Sequence, residues 1–213
     1  MATPFQVKLA LGASSANVIA HSQSPAGAGP LTLTGAVVTL DAARRVLITS
    51  GSDDSGITFT VTGTNRDKNP LVETLAGGAG VGVNTTQDFL TVSSIVANGS
   101  PAGTVEAGTS GVGSSQWYVI NQHTTPINIG VGVVVSGTIN FTVEYTYDNI
   151  NAPFTGTFPT VFSQSAMASK SANTDAATTF AFPIFAIRLT QNSFSTNGTA
   201  AMIVIQSGLG FGN

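Results

Sequence analysis

"SGITFTV" occupies residues 55–61, and "SGTINFTV" occupies residues 136–143. One chain carries nearly the same phrase twice. In each copy Ser-Gly opens the segment and Phe-Thr-Val follows it. In the first copy Ile57, Phe59 and Val61 alternate with Thr58, Thr60 and Thr62. A period of two puts the apolar set on one face of a strand and the threonines on the other. Phe59 and Phe141 then become large buried anchors, with Val61 and Val143 continuing the same face. The second copy is longer by one residue, placed at Asn140. An insertion of one residue swaps faces unless a bulge or the turn absorbs it.

Outward from the phrase, strand signals dominate. Residues 30–40, 44–50, 56–64, 71–77, 89–99, 103–111 and 116–122 are short and bounded by turn residues. They are rich in Val, Ile, Leu, Thr and Phe. Residues 125–149 read as two or three strands, and 182–194 and 200–208 close the series. The best helix candidate is the Ala-rich stretch 163–182, whose Ser, Thr and Asn content favours a short turn or loop. Short strands with Gly-rich turns predict an all-β fold of antiparallel β-sandwich or jelly-roll-like halves.

A second echo supports two halves. "FLTVSSIVANGSPAGTVEAGTSG" (89–111) parallels "FAIRLTQNSFSTNGTAAMIVIQSG" (185–208) in element order. The expected organisation is an N-terminal arm at 1–30, a first half at 31–122 and a second at 123–213. Duplication of one sandwich explains the echoes. So does convergence, since any two antiparallel units share Gly and Thr.

Composition narrows the function. The 213 residues are 42% hydrophobic, enough to build a core, and only 8% charged. An ordinary soluble domain is about 25% charged. Few charges remain to protect sheet edges, so the surface is expected to meet neighbours. A net charge of −3 supplies no basic field for nucleic acid. No apolar run approaches the roughly 20 residues that span a bilayer. The first residues lack a basic leader, so no signal peptide is read there. With no cysteine there is neither disulfide nor thiolate metal site.

Catalytic patterns are poor. His21 and His123 stand apart from carboxylates in sequence, and no cofactor or metal ligand set is expected. Asp53 and Asp54 share a Gly/Ser loop that could offer oxygens to Ca²⁺, but the EF-hand spacing is missing. A solvated turn is the simpler reading there, as it is for Arg66, Asp67 and Lys68. The run at 77–82, GGAGVG, opens no helix and is no phosphate-binding loop. The aromatics are more promising. Trp117, Tyr145 and Tyr147 suit a sugar platform or an interface. Phe154, Phe158, Phe162, Phe180, Phe182 and Phe185 crowd one region with prolines, as loops packed within the domain or on a neighbouring subunit. The candidate interface is Phe154, Phe158, Phe162, Phe182, Trp117, Tyr145 and Tyr147.

Four stretches carry a resemblance: 47–77, 89–111, 132–149 ("GVVVSGTINFTVEYTYDN") and 185–208. Together they resemble β-rich virion structural proteins of tailed bacteriophages. The resemblance spans roughly residues 30–208 and rests on phrase and composition. It implies no active site and no enzyme. It implies a capsid decoration (cement) protein acting in the virion, assembled in the host cytoplasm. Its partners would be the major capsid protein and copies of itself, as a dimer or trimer, without nucleic acid or membrane. The stretch 1–30 would then be an arm reaching across a neighbour. The competing expectation is a tail, fibre or head-spike component that binds a host-surface glycan. A tail-tube or adaptor protein is a further reading.

Overall fold

The computed structural model describes residues 5–122, 124–151, 159–175, 180, 182–194 and 198–210. It is all-β and antiparallel, with one short 3₁₀ turn at Ser165–Met167 among the described residues. The chain divides into two compact units: a continuous one at 12–113, and a split one built from 1–11 and 114–213.

The continuous unit holds β2 (Ser15–Gln23), β3 (Gly29–Pro30), β4 (Val38–Ser50), β5 (Thr58–Thr64), β6 (Pro70–Ala76), β7 (Gly82–Asn84), β8 (Phe89–Ala97) and β9 (Val105–Ser114). One sheet runs β2-β9-β4-β7 and the other β3-β8-β5-β6. Counted within the unit, these orders are first-eighth-third-sixth and second-seventh-fourth-fifth. That is the jelly roll, two interlocked Greek keys. The start of β4 also pairs with β8, through Val38↔Val92 and Thr39↔Thr91, and so joins the two sheets.

The split unit holds β1 (Phe5–Leu9), β10 (Tyr118–Val119), β11 (Thr124–Ser136), β12 (Ile139–Thr146), β13 (Phe162–Ser163), β14 (Thr174–Asp175), β15 (Ala186–Phe194) and β16 (Thr199–Gly210). Its sheets run β1-β16-β11-β14 and β10-β15-β12-β13. The same jelly-roll order appears strand for strand. The whole continuous unit is inserted between the first and second strands of the split one. A jelly roll tolerates this because its first and last strands are neighbours, so its two ends lie close together. In the continuous unit Ser15 pairs with Thr109; in the split unit Leu9 pairs with Ala200.

The repeated phrase falls on β5 and β12, the fourth strand of each unit. Phe59, Val61, Phe141 and Val143 are all fully buried. The extra residue is not Asn140. Ile139, Phe141 and Val143 are buried in alternation as Phe59 and Val61 are, so Asn140 matches Thr58. The surplus is Thr138, taken up in the turn beside Gly137, whose φ of 73° only glycine adopts easily.

Three expectations need correction. Residues 5–30 are not a free arm: Phe5–Leu9 is a sheet strand in register with Val204 to Ala200, and Ser15–Gln23 pairs with β9. Val7 and Leu9 are buried, so the alternation in "FQVKL" outweighs the Gly- and Ser-rich stretch after it. The divide falls at residues 113 and 114, and again at 11 and 12, rather than at 122 and 123. Residues 31–37 are a connection and not part of a strand, while 38–50 form one long strand instead of two.

Candidate interaction surface

In the split unit, β12 carries Phe141, Val143, Tyr145 and Tyr147 along one face. The first two are buried, Tyr145 is half-buried, and Tyr147 lies just past the strand and is 51% exposed. The face thus runs out of the core and into solvent. Other aromatics meet it there. Tyr145 stacks on Phe162 of β13 at 5.6 Å between ring centroids, and meets Phe180 edge-on at 5.3 Å. It also lies 5.9 Å from Phe182 and 5.7 Å from Tyr147. Tyr147 packs edge-on against Phe162 at 5.4 Å. Offset and edge-to-face rings at such spacings attract through their quadrupoles as well as by burial. Phe180 is fully buried and roots the cluster, whereas Phe162 is 41% and Phe182 39% exposed. Val161, next to Phe162, is exposed too. Burial, and after it the neighbouring Tyr147 phenol, push the Tyr145 hydroxyl above its ordinary 10.0, so Tyr145 meets a partner uncharged at neutral pH.

Four of the seven expected interface residues therefore converge: Tyr145, Tyr147, Phe162 and Phe182. Phe154 and Phe158 lie outside the described residues. Trp117 is elsewhere. The Arg188 guanidinium covers its ring at 4.6 Å, and Arg188 is itself held by Glu144, Nε to Oε2 at 2.7 Å. A cation already lies over this indole, so Trp117 is a weaker platform than the sequence suggests. The sequence marks Phe180 only as part of an aromatic crowd. The alternation Phe180-Ala-Phe182 could have marked it, since it mirrors Tyr145-Thr-Tyr147.

The polar candidates stay apart. His21 is exposed on β2, and His123 lies outside the described residues. Asn65 Oδ1 accepts from the Asp67 and Asn69 amides, which makes 65–69 a closed hairpin turn. Asp53 is exposed. Its carboxylate accepts from the Ser55 amide, and Ser55 holds its pKa below the ordinary 3.8. Among the described residues no three His, Cys, Asp or Glu side chains gather as a metal group. No described helix is long and apolar enough to cross a membrane. Comparison with protein-family models finds no match, and comparison with the curated proteins finds none.

Proposed function

We propose that this chain is a structural protein of a tailed-phage virion, most specifically a capsid decoration protein. The observation behind the reading is the half-exposed ring cluster of Tyr147, Phe162 and Phe182 beside the edge strand β13. Fully burying such a side chain contributes about 1.5–3 kcal/mol relative to exposure. Half-exposed rings therefore offer roughly 1 kcal/mol each. One copy would bind weakly. Dimers or trimers would bind through linked sites, so avidity replaces single-site affinity. A protein that binds only the expanded shell stabilises that shell by mass action. The partners are the major capsid protein and further copies of this chain, and the setting is the virion. Viral jelly rolls supply general precedent for such a scaffold.

A second reading is a tail, fibre or head-spike component that takes a host-surface glycan. What favours it is Tyr147, half exposed, with a hydroxyl and with exposed Asp148 and Asn149 following it. An aromatic ring beside polar groups suits a sugar. Cosedimentation with empty expanded capsids tests the first reading. Saturable, regularly spaced binding that weakens in Tyr147→Ala and Phe162→Ala sustains it. No shell binding, with glycan-array signals that depend on Tyr147, replaces it with the second.

A further inference from the structure

At one end of the continuous unit, four connections are tied together. They are 24–28, 51–57, 77–81 and 98–104, the odd-to-even connections of the jelly roll. Asp53 bridges Ala79, and the Asp54 amide donates to the Gly78 carbonyl at 2.9 Å. The Gly80 amide donates to Ser52, and the Gly51 amide to Thr104. The Ser100 hydroxyl reaches the Pro25 carbonyl at 3.3 Å. Asp54 sits at the hub. Its side chain packs against Gly77, where a Cβ would come within 2.9 Å of the Asp54 Cβ.

Asp54 is 1% exposed. Its Oδ1 accepts from the Ala102 amide at 2.6 Å, while its Oδ2 is buried with no hydrogen-bond partner. Among the described residues no cationic side chain pairs with Asp54; the ion pairs Asp41–Arg44, Asp88–Arg45 and Glu144–Arg188 leave it uncompensated. A buried carboxylate without a counter-charge is costly, and native structures pair such groups or give them to metals. The Ser50 hydroxyl, at the end of β4, is likewise buried without a partner. The tied connections also bring carbonyl oxygens to this end of the unit. The Ser52, Gly78 and Thr104 carbonyls each accept a hydrogen bond and keep a second lone pair, and Asp53 adds a carboxylate on the solvent side. Hard divalent cations bind such sets of carboxylate, carbonyl and hydroxyl oxygens.

From these observations we propose that the 51–57 connection binds one divalent cation of the calcium class, anchored by Asp54 Oδ2. The cation would lock the four connections and rigidify that end of the unit. It supplies no chemistry and does not depend on the virion reading.

The test uses the full chain with CaCl₂ alone, against the same protein in EDTA. Calcium should raise the melting temperature saturably, by about 2 °C or more, with one ion per chain by isothermal titration calorimetry. Amide exchange should slow at 51–57, 77–81 and 98–104 and nowhere else. Asp54→Asn should remove the calcium shift, and Asp67→Asn should keep it. Should Asp54→Asn fail to fold, the wild-type titration and exchange map still decide. No saturable binding of Ca²⁺ overturns the proposal. So does protection outside these connections, or a shift that survives in Asp54→Asn.

Discussion

The two units share the jelly-roll strand order and differ at their connections and at the β4–β8 pairing, which has no counterpart among the described residues of the split unit. In the continuous unit the fourth and fifth strands join through a tight polar turn at 65–69, closed by Asn65. In the split unit the same connection runs over 147–161 and begins and ends beside exposed aromatics. The reverse holds between the third and fourth strands. There the continuous unit has the seven residues 51–57, organised by Asp54, while the split unit turns in two, Gly137 and Thr138. One scaffold has thus been elaborated at different places: a polar, internally bonded end in one unit and a solvent-facing ring cluster in the other.

A second difference lies inside the strands. Counted back from the equivalent ends Ser50 and Ser136, Arg44 of β4 corresponds to Gly130 of β11. Arg44 is 1% exposed. It donates to the Ser110 carbonyl through Nε at 3.0 Å and also through Nη2, and to both oxygens of Asp41 through Nη1. Asp41 accepts from the Gly12 amide at 2.8 Å. Arg44 itself pairs with Gly113. The first and last residues of the continuous unit are thereby held through one ion pair, its Arg44 buried and its Asp41 44% exposed. An inserted unit gains from such a clasp, because it fixes the two points where the chain enters and leaves.

The equivalence of the repeated phrases is the part of the comparison most easily broken. Phe59→Ala and Phe141→Ala should each cost about 3–5 kcal/mol, read by urea unfolding. A large loss at one site and a small one at the other would mean that the two phrases do not anchor equivalent cores. Arg44→Ala comes next, at about 2–3 kcal/mol, since it leaves the buried Ser110 carbonyl without its donors. Val131→Ala, in the split unit, should leave the opening of residues 12–113 unchanged by native-state amide exchange, whereas Arg44→Ala should accelerate it.

The ring cluster gives a smaller effect on stability and a larger one on binding. Tyr147→Ala and Phe162→Ala should shift unfolding by no more than about 1–2 kcal/mol, because both rings are half exposed. Under the proposed decoration role, capsid occupancy should fall at least about tenfold, as expected for interface anchors. Equal losses in folding and binding would make the cluster a core element only.

Smallest is the acid response. Partial burial raises the Asp41 pKa, but the Arg44 guanidinium and the Gly12 amide outweigh it and hold the pKa below 3.8. A depressed folded-state pKa gives stability that is present above the unfolded value and lost as pH falls through the folded one. Melting temperature should therefore drop below about pH 4 with a component that Asp41→Asn removes. An unchanged pH slope in that variant would show that the clasp draws nothing from the Asp41 charge.

Much of the architecture was legible in the residues. Alternation at 57–62 and 139–143 reads as a strand with one buried face, because side chains on a pleated strand repeat every second residue. The order of echoes at 89–111 and 185–208 also held, on β8 and β9 and on β15 and β16. What misled was short-range composition. The Gly- and Ser-rich residues after "FQVKL" read as an arm, since five residues of alternation carry no record of the strand at 199–210 that completes them. The ring cluster was half legible: alternation put Tyr145 and Tyr147 on one face, but nothing local ties them to Phe162 or Phe182.

The sequence alone determined the class: all-β, low in charge, carrying one phrase twice, with aromatics concentrated after residue 140. Tertiary structure decided the rest. It closed β1 onto β16 across an inserted jelly roll, gathered rings separated by up to 37 residues in the chain (from Tyr145 to Phe182), and drew Asp54 out of solvent. The physical reason is range. Backbone alternation and turn chemistry act over a few residues, whereas strand pairing and burial act between residues that the chain alone does not bring together.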